Sequence, residues 1–279
     1  METLLKGSSG LKRIFGISAV FVTILYALPF IYLILTSLKT PSETISVPPT
    51  LLPNVWSLEN YANAFAKAGV VESMLNSAQI AVISTALSLL LGIPAAYAAV
   101  RFGSKLTSTF LIAALVIRMV PAIVIGAPLA SWASDLGLYD STVAVAVAHT
   151  TIALPLVIWL MTGFFEAIPE ELEEAAMLDG CGRVKAFTAV ILPLTIGGVA
   201  VAGIFAFLSS WNEFIMALLM TSTEAQTTPI AIANFQTQFG IDWGSMTAIS
   251  VVYSLPVVIM TLGLQKYLIS GLTLGAVKG

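Results

Sequence analysis

Six apolar stretches, each long enough to cross a lipid bilayer, decide what this chain can fold into. A helix needs about 20 such residues to traverse the hydrocarbon core. Ile14–Leu35 and Ser73–Val100 carry no charge, Leu106–Ser134 holds Arg118, and Ser141–Phe165 contains His149. Leu194–Met220 carries Glu213 near its end, and Trp243–Gln265 stops at Lys266. Their interiors run on in Leu, Ile, Val and Ala, without the two-residue alternation of a barrel strand. The expected fold is an all-α polytopic membrane protein with six transmembrane helices. Composition agrees: only 10% of residues are charged, against about 25% in soluble domains.

Several function classes fall away. One cysteine excludes a disulfide framework, and one histidine leaves nothing for a His-rich metal centre. No metal site is expected. A net charge of −3 without a basic block argues against nucleic acid as a partner. No G-x-x-x-x-G-K-[ST] phosphate loop occurs, so the chain is not expected to hydrolyse ATP or to be an enzyme.

Lysine and arginine set the orientation. With both termini inside, the cytoplasmic segments hold Lys6, Lys12, Arg13, Arg101, Lys105, Arg183, Lys185, Lys266 and Lys278, and the outer ones only Lys39 and Lys67. The first apolar run exceeds a 7–15-residue signal core and lacks a clear A-x-A site, so it reads as a retained helix. Residues 1–72 form an N-terminal helix and outer loop, 73–268 the transmembrane core, and 269–279 a cytoplasmic tail.

The longest inner segment, 166–193, is the informative one. Pro169 suits a first helical position, Glu170, Glu171, Glu173 and Glu174 suit a helix N-terminus, and Gly180 suits its C-terminal exit. Leu172, Ala175, Ala176 and Asp179 share one face. A second helix, Arg183–Ile191, is expected to stop ahead of Pro193. By itself such an acidic helix could simply be solvated.

Glu174-Ala175-Ala176, Gly180 and Val190-Ile191-Leu192-Pro193 resemble the EAA loop of ABC importer permeases, with Val190 where that motif usually has Ile. Asn60-Tyr61, Asn76-Ser77, Trp211-Asn212-Glu213-Phe214 and the Gly271–Gly279 tail are similar to segments of the carbohydrate branch, the six-span maltose-type permeases. The resemblance implies that Glu174, Ala175, Ala176, Asp179, Gly180, Leu192 and Pro193 couple the chain to an ATPase, and that Ala276, Val277, Lys278 and Gly279 reach it as well. It implies a second homologous permease, two ATP-binding cassette subunits that hold ATP and Mg, an extracellular solute-binding protein, and a sugar or polyol cargo. It further implies the plasma membrane of a bacterium or archaeon. No cofactor is expected on this chain. An ABC permease for a non-sugar solute stays open, as does an ion-coupled secondary transporter using Arg118, His149 or Glu213.

Asn76, Arg118, His149, Asn212 and Glu213 are the candidates for a pathway or gate, since intramembrane polar groups are costly and seldom idle. At ~1.5 Å per residue, Arg118 and His149 lie at a similar depth and Glu213 roughly 10 Å further out, so an Arg118–Glu213 interaction is expected. Pro29, Pro94, Pro121, Pro128, Pro155 and Pro256 are candidate hinges, and Gly197, Gly198, Ala202, Gly203 and Ala206 form a small-residue stripe suited to close helix packing. Trp56, Trp132, Trp211 and Trp243 read as an interfacial belt, with Trp132 or Trp211 as candidates for stacking on a sugar. Cys181 reads as a small packing residue.

Overall fold

The computed structural model describes residues 9–238 and 240–274. The chain runs α1 (Ser9–Ser37), α2 (Pro41–Thr44), α3 (Glu59–Ala66), α4 (Val70–Arg101), α5 (Lys105–Ile117), α6 (Ala122–Asp135), α7 (Thr142–Glu166) and α8 (Glu171–Leu178). It continues as α9 (Arg183–Ala186), a π-helical turn over Phe187–Ile191, α10 (Leu192–Leu194), α11 (Ile196–Trp211), α12 (Ile215–Met220) and α13 (Thr228–Ala233). A two-residue antiparallel hairpin, β1 (Gln236–Thr237) and β2 (Gly240–Ile241), precedes α14 (Trp243–Leu274).

Among the described residues, four helical stretches are long and apolar enough to cross a membrane alone: Phe15–Ser37, Val70–Arg101, Thr142–Glu166 and Trp243–Gly263. Two bent pairs raise the number to six: Thr107–Ile117 with Ala122–Asp135, at 94°, and Arg183–Leu194 with Ile196–Trp211, at 76°. The sequence suggests a single helix at the first place, over Leu106–Ser134, and at the second it already separates a helix Arg183–Ile191 from a span that begins at Leu194. The third span breaks ahead of Pro121, whose ring and missing N–H cannot continue α5 beyond its C-cap Arg118, and α6 restarts with Pro121 in extended backbone as its N-cap. Pro29, Pro94, Pro128, Pro155 and Pro256 lie inside helices, so of the proline candidates Pro121 alone marks a break. Leu194–Met220 is not one helix either: it bends at Thr195 and breaks again at Asn212–Phe214. The helix from Arg183 does not stop ahead of Pro193, which sits within α10.

Two compact units form. One joins Met1–Lys67 to Asn234–Val252, the other holds Ala68–Ala233 and Tyr253–Gly279. In the first, Asn60 Nδ2 donates to the carbonyls of Ser37 and Lys39, and Tyr61 Oη lies 2.8 Å from Ser37 Oγ. The Asn60-Tyr61 pair therefore ties α3 to the end of α1. Glu43 gathers the intervening loop, accepting from Thr50 Oγ1 and Asn54 N.

The second unit is built on α4, α7 and α11, which pack chiefly on one another. Small residues let them approach: a Cβ at Gly92 would meet Val157 Cγ1 at 2.7 Å, and one at Gly198 would enter the Phe164 ring. Ala202 and Ala206 are fully buried in the same seam, which bears out close packing for the stripe. Around α12 a second cluster gathers Met216, Ala217 and Met220 with Ala144, Val145 and Ala148.

Candidate functional site

The segment between α7 and α11 forms the short acidic helix its sequence suggests. α8 opens with Glu171, Glu173 and Glu174 in its first turn, where the free N–H groups favour negative charge. Glu170 is its N-cap, which leaves Pro169 just outside the helix instead of at its first position. Gly180 takes φ +89°, a left-handed conformation that side chains resist. Its N–H donates to Met177 O while Cys181 N–H donates to Ala176 O, the paired closure of a Schellman motif. The helix thus has a defined exit.

One face of α8 is clamped to α4. Glu173 is buried, and its Oε2 lies 3.1 Å from Arg101 Nε, both side chains being 7% exposed. Tyr97 Oη donates to Glu173 Oε1, and Arg101 also donates to Ile168 O at 3.0 Å. Below the pair, Tyr97 packs against Phe165 and Phe187, an aromatic floor that shields it on that side. Each buried charge is therefore compensated, as burial requires.

Among the described residues, nothing covers the other face of α8. Leu172 is 45% exposed, Leu178 89% and neighbouring Val184 76%. Ala175, Glu174, Asp179 and Gly180 are exposed beside them, whereas Ala176 is buried against the protein. Of the Ala pair, then, only Ala175 faces outward. Leu192 is half-buried and Pro193 exposed in α10. A polar cleft of about 100 Å³ opens beside Arg101, Glu174, Met177 and Arg183. The product is a small apolar surface, rimmed with carboxylates, on a helix fixed from behind. Cys181 is half-buried beside it.

The candidate pathway residues do not form one cluster. His149 is fully buried on α7, with Nε2 3.2 Å from Glu213 Oε2, within ion-pair distance though outside hydrogen-bond geometry. Its Nδ1 lies 2.8 Å from Ser210 Oγ. Glu213 also accepts from Met216 N at 2.9 Å and Ala217 N at 3.2 Å, satisfying the first N–H groups of α12. Arg118 is the exposed C-cap of α5 and makes no ion pair among the described residues. The expected Arg118–Glu213 interaction is therefore replaced by His149–Glu213. Depth along the membrane does not reveal which face of a helix a side chain occupies. Asn212 is exposed at the break, with Nδ2 returned to Leu208 O. Asn76 binds the carbonyls of Glu224 and Gln226, so here it holds a loop.

Trp211 departs from its expected place. It is 5% exposed, stacked between Phe207 and Tyr253, and leaves no face open to a sugar or to lipid headgroups. Trp132 and Trp56 are exposed. The tail candidates Ala276, Val277, Lys278 and Gly279 lie outside the described residues.

Sequence reasoning misses Tyr97, Arg101 and Glu173 as a unit, counting Arg101 only for orientation. It also misses Asp140, which takes φ +59° immediately before the N-cap of α7. Its carboxylate accepts six donors from Ser222, Thr223, Glu224 and Ala225 at 2.6–3.3 Å. Burial pushes this carboxyl up, but these donors outweigh burial and hold it well below the usual carboxylate range. A lone Asp ahead of a helix cap is the one signal the sequence offers for it.

Comparison with known proteins places this geometry in context. Residues 88–273 match the family described as binding-protein-dependent transport system inner membrane component. The sulfoquinovosyl glycerol transport system permease protein SmoH of Agrobacterium fabrum is 37% identical over 252 residues, covering 90% of this chain and 88% of the relative. The trehalose transport system permease protein SugB of Mycobacterium tuberculosis is 36% identical over 255 residues, covering 90% and 92%. A chain from the crystal structure of a bacterial ABC transporter involved in import of the acidic polysaccharide alginate superposes with a TM-score of 0.76. The two are 23% identical, over 94% of this chain and 99% of that one.

Proposed function

Because this chain belongs to the family of binding-protein-dependent transport system inner membrane components, a family of non-catalytic membrane permease subunits, we propose that it forms part of the translocation pathway of an ATP-driven importer for a sugar or polyol. Its 36–37% identity to permeases named for trehalose and for sulfoquinovosyl glycerol supports a carbohydrate cargo. The pathway lies at the interface with a second, homologous permease. An extracellular solute-binding protein delivers the cargo, and two ATP-binding cassette subunits hold ATP and Mg. The complex sits in a bacterial or archaeal plasma membrane, with both ends of this chain and the 166–193 segment on the cytoplasmic side.

The observation that carries this reading is the two-sided character of α8. One side is locked to α4 through Arg101 and Glu173, while the other presents Leu172, Ala175 and Leu178 to solvent. One exposed Leu would need no partner, but Leu172, Leu178 and Val184 expose apolar surface together beside a clamped helix, as an interaction surface does. We assign that partner to the ATPase. ATP-driven closure of the ATPase pair pushes on α8, and the buried ion pair passes the displacement to α4 instead of letting the loop flex. Arg118 and Asn212, exposed at the two breaks, are assigned to the pathway, since broken backbone in a membrane is tolerated where it lines protein or water. Ala276–Gly279 is assigned a second contact with the ATPase.

Affinity purification of the chain in mild detergent tests the reading. ATP-binding cassette subunits are expected to co-purify in the wild type and to be lost in Leu178→Glu, which places a charge on the exposed face without touching the clamp. Retention of the ATPase by that variant would move the dock elsewhere. The sugar retained by the co-purified binding protein identifies the cargo.

A further inference from the structure

α12 is six residues long. Such a helix has more orphan terminal groups than internal hydrogen bonds and does not persist by itself. Its neighbours in sequence do not hold it: Asn212–Phe214 is broken backbone on one side, and a loop follows on the other. Its apolar side chains pack chiefly on α6, where Met216 and Leu219 close on Gly126, and Met216, Ala217 and Met220 also lie beside Ala144, Val145 and Ala148 of α7.

Polar ties close both ends, and both come from α7 or the residues just before it. At the start, Glu213 caps Met216 and Ala217 while facing His149 at 3.2 Å. The same ring reaches Ser210 Oγ at 2.8 Å through Nδ1, so His149 stands between the end of α11 and the start of α12. At the other end, Asp140 N–H donates to Met220 O at 3.0 Å, and Tyr139 Oη donates to Thr221 O at 3.3 Å. The six donors on the Asp140 carboxylate then fix residues 222–225. On the far side of the break, Ser210 of α11 also meets His149 of α7, and Trp211 is tied to α14: its Nε1 donates to Tyr253 O at 3.3 Å, Tyr253 Oη donates to Trp211 O, and the rings stack 4.7 Å apart.

We propose that Asp140, His149 and Glu213 are positioning residues for transport, fastening both ends of α12 to α7 so that the two move as one body. This deepens the transporter reading, since the transport cycle supplies the motion.

Distances between paired spin labels test it in the full complex reconstituted in vesicles, after replacing the chain's single cysteine by Cys181→Ala. Val147, Leu218 and Phe205 are exposed in this chain and take the labels. The Val147–Leu218 distance, α7 to α12, is expected to stay single and unshifted between the nucleotide-free and ATP-plus-vanadate states. The Phe205–Leu218 distance, across the break, is expected to stay unshifted as well, since α11 packs on α7. With Asp140→Ala and Glu213→Ala together, the Val147–Leu218 distance should broaden, and the conservative Glu213→Gln should retain the narrow one. A shifting Val147–Leu218 distance in the wild type would overturn the proposal, as would a double variant whose distance stays narrow. ATP-driven uptake of radiolabelled trehalose or maltose on the same vesicles reads the transporter assignment separately.

Discussion

The Arg101 guanidinium, at the end of α4, lies 3.1 Å from the Glu173 carboxylate, inside α8, with each side chain 7% exposed. The two residues are 72 positions apart, and their contact converts a surface helix into an extension of a membrane span. Removing one partner leaves a buried charge uncompensated, at a cost of about 3–5 kcal/mol. Glu173→Ala is expected to insert normally, to raise amide exchange throughout 170–180, and to lose most stimulated ATPase activity. Exchange as slow as in the wild type would show that the pair does not hold α8.

Gly180 is the second fixed point of the same helix. Any side chain at φ +89° meets a left-handed penalty of roughly 1–2 kcal/mol, and proline also removes the N–H that closes on Met177 O. Gly180→Ala should weaken ATPase co-purification modestly and Gly180→Pro severely, with membrane levels unchanged. Equal co-purification by both variants would separate the helix exit from docking.

Cys181, half-buried beside α8, reports the side of the membrane. A membrane-impermeant maleimide is expected to label it in inside-out vesicles, more after the ATPase is stripped, and not in intact cells. Labelling of intact cells would invert the proposed orientation.

Asp140 sets a pH expectation. A carboxyl whose folded pKa lies below its unfolded value of about 3.9 stabilises the fold fully above that value, and the contribution fades as pH falls through the lower folded one. Order in the 222–225 loop should therefore be flat between neutral pH and pH ~5. Asp140→Asn sets an amide donor among N–H groups and should lose about 1–3 kcal/mol of local stability at neutral pH. Amide exchange at Ser222–Ala225 measures both. A loop that loosens already near neutrality would contradict the assignment.

The pairing of Glu213 also has a thermodynamic signature. Directly interacting residues couple, whereas separated ones contribute independently. Transport losses from Arg118→Gln and Glu213→Gln should add, while those from His149→Gln and Glu213→Gln should fall well short of their sum. The reverse pattern, measured as uptake rates in a double-mutant cycle, would restore the Arg118 pairing.

The spans, the small-residue stripe and the α8 helix with its Gly180 exit were legible in the sequence, because each rests on local rules: run length, side-chain size, capping chemistry. The break at Asn212–Phe214 was not, because it depends on Glu213 finding free N–H groups and His149 at once. Arg118 shows the same limit. Its charge and depth could be read, but the bend that turns its helix end depends on how Pro121 is packed. Arg101–Glu173 and Asp140 with its six donors join residues more than 70 positions apart, and no periodicity carries such information.

The central claim is that motion enters this permease through α8, and coupled transport in vesicles tests it most directly. The wild-type complex and Glu173→Ala are each reconstituted with the binding protein and internal ATP, and trehalose or maltose uptake and phosphate release are recorded together. The expected result is ATP-dependent uptake by the wild type, with uptake in Glu173→Ala falling further than ATP hydrolysis, so that more ATP is spent per sugar. Uptake by this chain alone under a proton or sodium gradient, or an unchanged ratio of sugar to ATP in Glu173→Ala, would contradict it.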